Sequence, residues 1–159
     1  MKQLMMVLMV SLLPLTTYSQ TLGVTSNIST NGASYGFFVE GDENKFGFEF
    51  QRGATLNLDY QEVEQYLNGE ISSYTAGSSF YNIGAYTILP SKSSTNFLVG
   101  GGIQNEEEIT TSYKNTSKMN IYISAGFKTH LDDLISFRGG YQYSPTGISS
   151  AVVGVGFTF

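Results

Sequence analysis

From residue 35 to residue 159 the chain is built of short runs in which apolar and polar residues alternate with a period of two. That alternation is the feature that most restricts the fold. Successive side chains of an extended strand point to opposite faces, so a period of two yields one apolar and one polar face, whereas a helix needs a period near 3.6. No segment carries a clear helical period, and clusters of Gly, Asn, Asp, Ser and Pro separate the runs as turn residues do.

The last runs are the cleanest. Ala151, Val153, Val155, Phe157 and Phe159 share a face against Val152, Gly154, Gly156 and Thr158. Ile135, Phe137, Gly139, Tyr141 and Tyr143 oppose Ser136, Arg138, Gly140 and Gln142, and Met119, Ile121, Ile123, Ala125 and Phe127 oppose Asn120, Tyr122, Ser124, Gly126 and Lys128. Upstream, Phe97, Val99, Gly101 and Ile103 oppose Leu98, Gly100, Gly102 and Gln104. Four earlier runs complete a count of eight: one led by Tyr81, Ile83, Ala85, Thr87 and Leu89; one by Leu56, Leu58 and Tyr60; one by Phe46, Phe48 and Phe50; and one by Tyr35, Phe37 and Val39. Residues 20–34 are open to two readings. They are a polar lead-in, or Leu22-Gly23-Val24-Thr25 begins a further strand or lengthens the first.

A sheet with one apolar face wants either a core or a bilayer, and the connections discriminate between the two. Membrane barrels pair short turns on one side with longer loops on the other. With both termini on the periplasmic side, the expected turns are 52–53 (Arg52-Gly53), 90–94 and 130–134. The expected outer loops are 41–44, 68–77, 105–117 and 144–150, of which 41–44 is short for its side. A sheet in hydrocarbon must close on itself because unpaired amides find no water there, and tilted strands of about 9 to 11 residues match the bilayer. The expected fold is therefore all-β: an eight-stranded antiparallel up-and-down transmembrane barrel, monomeric, with outer-membrane lipid as its surroundings.

Residues 1–19 have the three parts of a secretory signal: Lys2 at the charged start, an apolar stretch at 4–15, and the small polar end Thr16-Thr17-Tyr18-Ser19. The apolar stretch of 12 residues falls short of the roughly 20 that a spanning helix needs, so it reads as removable. Cleavage after Ser19 leaves residues 20–159 as one barrel domain. The chain has no cysteine, which excludes disulfides and thiol chemistry. With Lys2 gone, 13 acidic residues face 7 of the 8 basic ones and the formal charge moves from −5 to −6. Nucleic acid is a poor partner for such a chain, because phosphate binding needs clustered Lys and Arg.

Eight strands enclose a space just wide enough for side chains to fill. Glycines on the polar faces leave room for Tyr86 and Tyr122, and the charged residues of those faces have to pair. Arg138 and Lys128 facing Glu40, Glu49 and Asp59 are the expected interior network, since a buried charge without a partner is costly. A wide aqueous pore is not expected.

The ending Gly154-Val155-Gly156-Phe157-Thr158-Phe159 resembles the carboxy-terminal assembly signal of outer-membrane barrels, in which alternating apolar residues finish on Phe. Together with the export signal and the alternating strands, residues 35–159 resemble the small barrels of the OmpA/OmpX type and the porin-family barrel domains of Bacteroidetes-type bacteria. The resemblance implies an outer-membrane location and recognition of Val155, Phe157 and Phe159 by the barrel assembly machinery. It departs from the larger OmpA pattern in that no peptidoglycan-binding domain follows Phe159.

The residues offer little for catalysis. His130, the single histidine, falls beside Asp132 and Asp133 at an expected turn, where no nucleophile is placed to use it, and the His-x-Ser arrangement of lipid-A deacylase barrels is absent. One histidine without cysteine does not make an ordinary zinc site. Gly100-Gly101-Gly102 lacks the Gly-Lys-Ser/Thr and the helix of a phosphate loop. Glu106-Glu107-Glu108 reads as a solvated acidic loop, because adjacent extended residues point different ways. The expectation is a non-enzymatic protein without cofactor or metal, holding a structural or surface-interaction role. The alternatives are a barrel that passes or binds small solutes, and a secreted soluble barrel that holds an apolar ligand.

Overall fold

The computed structural model describes residues 20–41, 45–56, 59–91, 93–111 and 116–159. The signal segment lies outside the described residues. Eight strands follow one another: β1 (Thr21–Ser29), β2 (Gly32–Glu40), β3 (Phe46–Leu56), β4 (Thr75–Leu89), β5 (Thr95–Thr110), β6 (Ser117–His130), β7 (Ile135–Tyr143) and β8 (Ser150–Thr158), with one helix, α1 (Tyr60–Leu67), between β3 and β4. Each strand pairs antiparallel with its sequence neighbour, and β1 pairs with β8, so the sheet is a closed barrel. Gln20 and Phe159 exchange backbone hydrogen bonds of 3.0 Å in both directions where the seam reaches the turn end. No edge is left open.

The alternation read from the sequence decides the faces. In β6, Met119, Ile121, Ile123, Ala125 and Phe127 are exposed on the outside while Asn120, Tyr122 and Lys128 are buried within. In β3 the exposed Phe46 and Phe48 flank the buried Gly47 and Glu49. A soluble barrel would bury the first set; here it is the polar set that fills the lumen.

The count of eight is right, but one expected strand is not a strand, and residues 20–34, left open between a lead-in and a strand, supply the missing one. The run through Leu56, Leu58 and Tyr60 ends β3 at Leu56; residues 57–58 lie outside the described residues, and α1 starts at Tyr60. Asp59 caps that helix, its side chain accepting from the Gln61 backbone N–H at 2.9 Å, and Gly69 at φ 76° takes the left-handed turn that ends it. The missing strand is β1, which turns into β2 through the two-residue connection Thr30-Asn31, Ser29 Oγ donating to the Gly32 carbonyl at 3.1 Å.

Restoring β1 moves the 41–44 connection to the opposite end and leaves the later connections at the ends expected for them. Arg52 and Gly53 lie inside β3, paired with Tyr35 and Ser34, and form no turn. The 41–45 connection belongs to the end that holds 90–94 and 131–134, which removes the exception of a short outer loop there. The opposite end carries 30–31, 57–74 with α1, 111–116 and 144–149. β4 and β5, 15 and 16 residues long, run past their neighbours on that side, so Glu106, Glu107 and Glu108 are strand residues paired with Phe80, Ser79 and Ser78.

Candidate functional site

Two surfaces of the barrel carry its chemistry: the packed lumen and the outward aromatic belts. The lumen begins at the turn end, where Glu40 and Lys128 form an ion pair with both side chains almost wholly buried, and the Tyr86 hydroxyl donates to Glu40 Oε1 at 3.0 Å. One layer on, Glu49 is met by three donors. Arg138 Nη2 donates to Oε2 at 2.7 Å, while the Tyr122 hydroxyl at 3.0 Å and Gln142 Nε2 at 2.8 Å share Oε1. The Arg138 guanidinium lies between the rings of Phe38 and Tyr86, 4.7 and 4.6 Å from their centres. Planar, weakly hydrated guanidinium suits such a slot, where an ammonium would lose more hydration.

Small residues make room for the two tyrosines. A Cβ added at Gly47 would stand 2.6 Å from the Tyr86 hydroxyl, and one at Gly84 would stand 2.9 Å from Tyr122 Cζ. Tyr86, Ile88 and Leu98 form a small apolar cluster on the same side of the lumen.

Beyond the charges the lumen turns neutral. Asn27 Nδ2 donates to Gln51 Oε1 at 2.7 Å and to Gln142 Oε1 at 3.0 Å, and Asn82 Nδ2 donates to the same two oxygens at 3.0 and 3.3 Å. These four amides come from β1, β3, β4 and β7, so they tie opposite walls together. At the loop end the 144–149 connection folds over the mouth. Gln104 holds it twice, donating from Nε2 to the Ile148 carbonyl at 3.1 Å and accepting from the Ile148 N–H at 2.7 Å, while Thr146 donates to Asn120 Oδ1 at 2.9 Å. A gap lined by Tyr86, Leu98, Ser124, Arg138 and Gln142 has a volume of about 10 Å³, room for about one water.

Of the five residues expected in the charged network, four meet in two ion pairs inside the barrel. Asp59 is not among them: it is exposed at the start of α1, outside the lumen. The amide layer was missed because an isolated Asn or Gln on a strand reads as generic polarity; only the register brings the four together. Val155, Phe157 and Phe159 stand on the outward side of β8, with Phe157 and Phe159 exposed. His130 ends β6 at the turn end, where its N–H donates to the Ser94 carbonyl, and Asp132 Oδ1 accepts from the N–H groups of Leu134 and Ile135 at 2.8 and 2.6 Å. Those bonds make Asp132 a turn-closing residue.

The outward aromatics divide by end. Phe46, Phe97, Phe127, Phe137, Phe157 and Phe159 ring the turn end, and Tyr35, Tyr81, Tyr141 and Tyr143 ring the loop end. Tyrosine, with an apolar ring and a polar tip, suits the boundary between hydrocarbon and headgroups.

No protein-family model matches the chain, and no curated protein matches it in sequence. Solved structures do match. Ail, the attachment invasion locus protein of Yersinia pestis, superposes with a TM-score of 0.65 over 91% of this chain and 100% of its own, at 10% identity. The amino-terminal β-barrel domain of Pseudomonas aeruginosa OprF gives 0.58 over 89% and 98%, at 14% identity. The fold is that of the small outer-membrane barrels. Neisserial surface protein A gives 0.55 over 89% and 96%, at 13% identity. At such identities the likeness extends to architecture, and activity does not travel with it.

Proposed function

We propose that the chain is a non-enzymatic integral outer-membrane protein, exported through its amino-terminal signal, whose barrel is a closed, side-chain-filled support for its surface loops. The observation that carries the proposal is the inverted polarity: every strand exposes large apolar or aromatic side chains on its outside, Tyr35 on β2 and Phe, Ile, Leu, Val or Met on the others, and ion pairs and amides fill the inside. A band of this kind about 25 Å tall, flanked by aromatic girdles, is what lipid selects. A soluble barrel holding an apolar ligand would need the opposite arrangement. A passage for solutes would need a gap, and the side chains of β1, β3, β4 and β7 meet across the lumen.

The assembly machinery would engage β8 through Val155, Phe157 and Phe159, after which pairing with β1 leaves no strand edge for a further copy, in keeping with a monomer. Names of two neighbours, an attachment invasion locus protein and a surface protein, are in keeping with a role for the loops in surface contact. Exposed α1 with Tyr60, Glu62, Glu64 and Leu67, together with the projecting β4–β5 ribbon, supplies such a surface.

The test is gel migration of the protein from the outer-membrane fraction, unheated and boiled in SDS, beside conductance in a planar bilayer. Closed barrels resist SDS until heated, so a heat-dependent shift with no steady conductance is expected. A soluble protein with no shift overturns the membrane reading, and stable channels overturn the filled lumen. Removing Phe159 should cut the fraction that reaches the folded form several-fold without changing synthesis.

A further inference from the structure

Arg52 stands on the outward face of β3, directly between Tyr35 of β2 and Tyr81 of β4 in the strand register. All three are exposed, Tyr35 at 72% and Tyr81 at 40%. Among the described strand residues Arg52 is the one cation on the outer face; Lys128 and Arg138 are held inside by Glu40 and Glu49. Arg52 makes no ion pair among the described residues. The sole outward acid of the described strands, Glu107, sits on the part of β5 that runs beyond the Tyr belt, paired with Ser79 and Ser117.

A charged side chain on the lipid face destabilises a barrel by an amount that falls from the midplane to the interface. Arg52 lies at the level of the Tyr belt, where the headgroups are, and its five donors in a planar fork match phosphate oxygens two at a time. The flanking phenol hydroxyls can donate to the same group. We infer that Arg52, Tyr35 and Tyr81 form a binding site for the phosphate of a lipid in the outer leaflet. The inference rests on the membrane reading above, and it adds a specific ligand to it: a lipid whose headgroup ends in an anionic phosphate, held against the β2–β3–β4 wall. The rest of the outward belt carries no second cation among the described strand residues, and Tyr141 and Tyr143 stand on β7 away from Arg52, so this wall fixes one lipid in place while the rest of the annulus exchanges.

The site is tested on the full folded chain in phosphatidylcholine nanodiscs that contain phosphatidic acid. Native mass spectrometry after extraction should find phosphatidic acid retained about tenfold more by the wild type than by Arg52→Gln, the loss expected for a charge-assisted hydrogen-bonded pair. Arg52→Lys should retain an intermediate amount, and Tyr35→Phe with Tyr81→Phe should lose about threefold while keeping the cation. The unheated gel shift is read on every sample. Equal retention by the wild type and Arg52→Gln, with the shift present in both, overturns the site and leaves the membrane barrel standing; a wild type without a shift overturns the membrane reading itself. Displacement of the lipid by inorganic phosphate at the same concentration overturns the lipid as the source of the phosphate.

Discussion

Glu40 and Glu49 both carry a carboxylate inside the barrel, yet their surroundings differ. Glu40 is met by an ammonium and one phenol, whereas Glu49 is met by a guanidinium, a phenol and an amide, and its guanidinium is itself clamped between two rings. Removing charge from water costs several kcal/mol per ion, and the attraction between partners offsets this only where further hydrogen bonds complete the geometry. Glu49 has that completion and is tied to β6 and β7 at once; Glu40 sits nearer the turn end. The comparison teaches that the lumen is organised around one central anion, with the second pair and the amide layer built on either side.

The sharpest way to break this comparison is Glu49→Ala, which strands Arg138 between its two rings without a counter-ion. Equilibrium unfolding in urea from detergent micelles should show a loss of about 3 to 5 kcal/mol, the cost of leaving one buried charge unpaired. Lys128→Met strands Glu40 with Tyr86 alone and should lose about 3 kcal/mol in the same assay. Combining it with Glu40→Met should return the protein to within about 1 kcal/mol of wild type, since a buried pair replaced by apolar groups of similar size is often neutral. A double variant as unstable as Lys128→Met would show that the pair holds register as well as charge. In the neutral layer, Asn27→Ala removes the donor shared by Gln51, Gln142 and Ser150 and should cost about 1 to 2 kcal/mol. The smallest effect belongs to Asp59→Ala: loss of the cap should weaken α1 by about 1 kcal/mol, read as hydrogen exchange in residues 60–67, with barrel unfolding shifted by less than about 0.5 kcal/mol.

These expectations separate what the sequence carries from what only closure reveals. Faces were legible wherever large apolar residues alternate with small or polar ones, as from Met119 to Phe127, because a slip of one residue would turn the whole set inward. β1 was less legible: its outward side is broken by Ser26 between Val24 and Ile28, and its inward side is Thr21, Gly23, Thr25 and Asn27, which reads as loop. The sequence did hold a turn signal in Asn31-Gly32, although the structure sets the two-residue connection one residue earlier, at Thr30-Asn31. α1 was hidden by Leu56, Leu58 and Tyr60, which alternate like a strand, although Asp59 followed three residues later by Glu62, with Gly69 beyond the far end, is the punctuation of a helix. Asp59 was assigned to the lumen by that same error. The pairing of Glu49 with Arg138, 89 positions apart, depends on strand order and register. No local pattern contains either.

The seam between β1 and β8 has a consequence for how the molecule comes into being. Thr21 meets Thr158 across 137 positions of chain, so the first strand has to wait for the last. Contacts of such long separation make folding slow, and until the seam forms both outer strands present unpaired amides along their full length. A chain that loses either strand is therefore an open ribbon rather than a smaller barrel, prone to join its own kind.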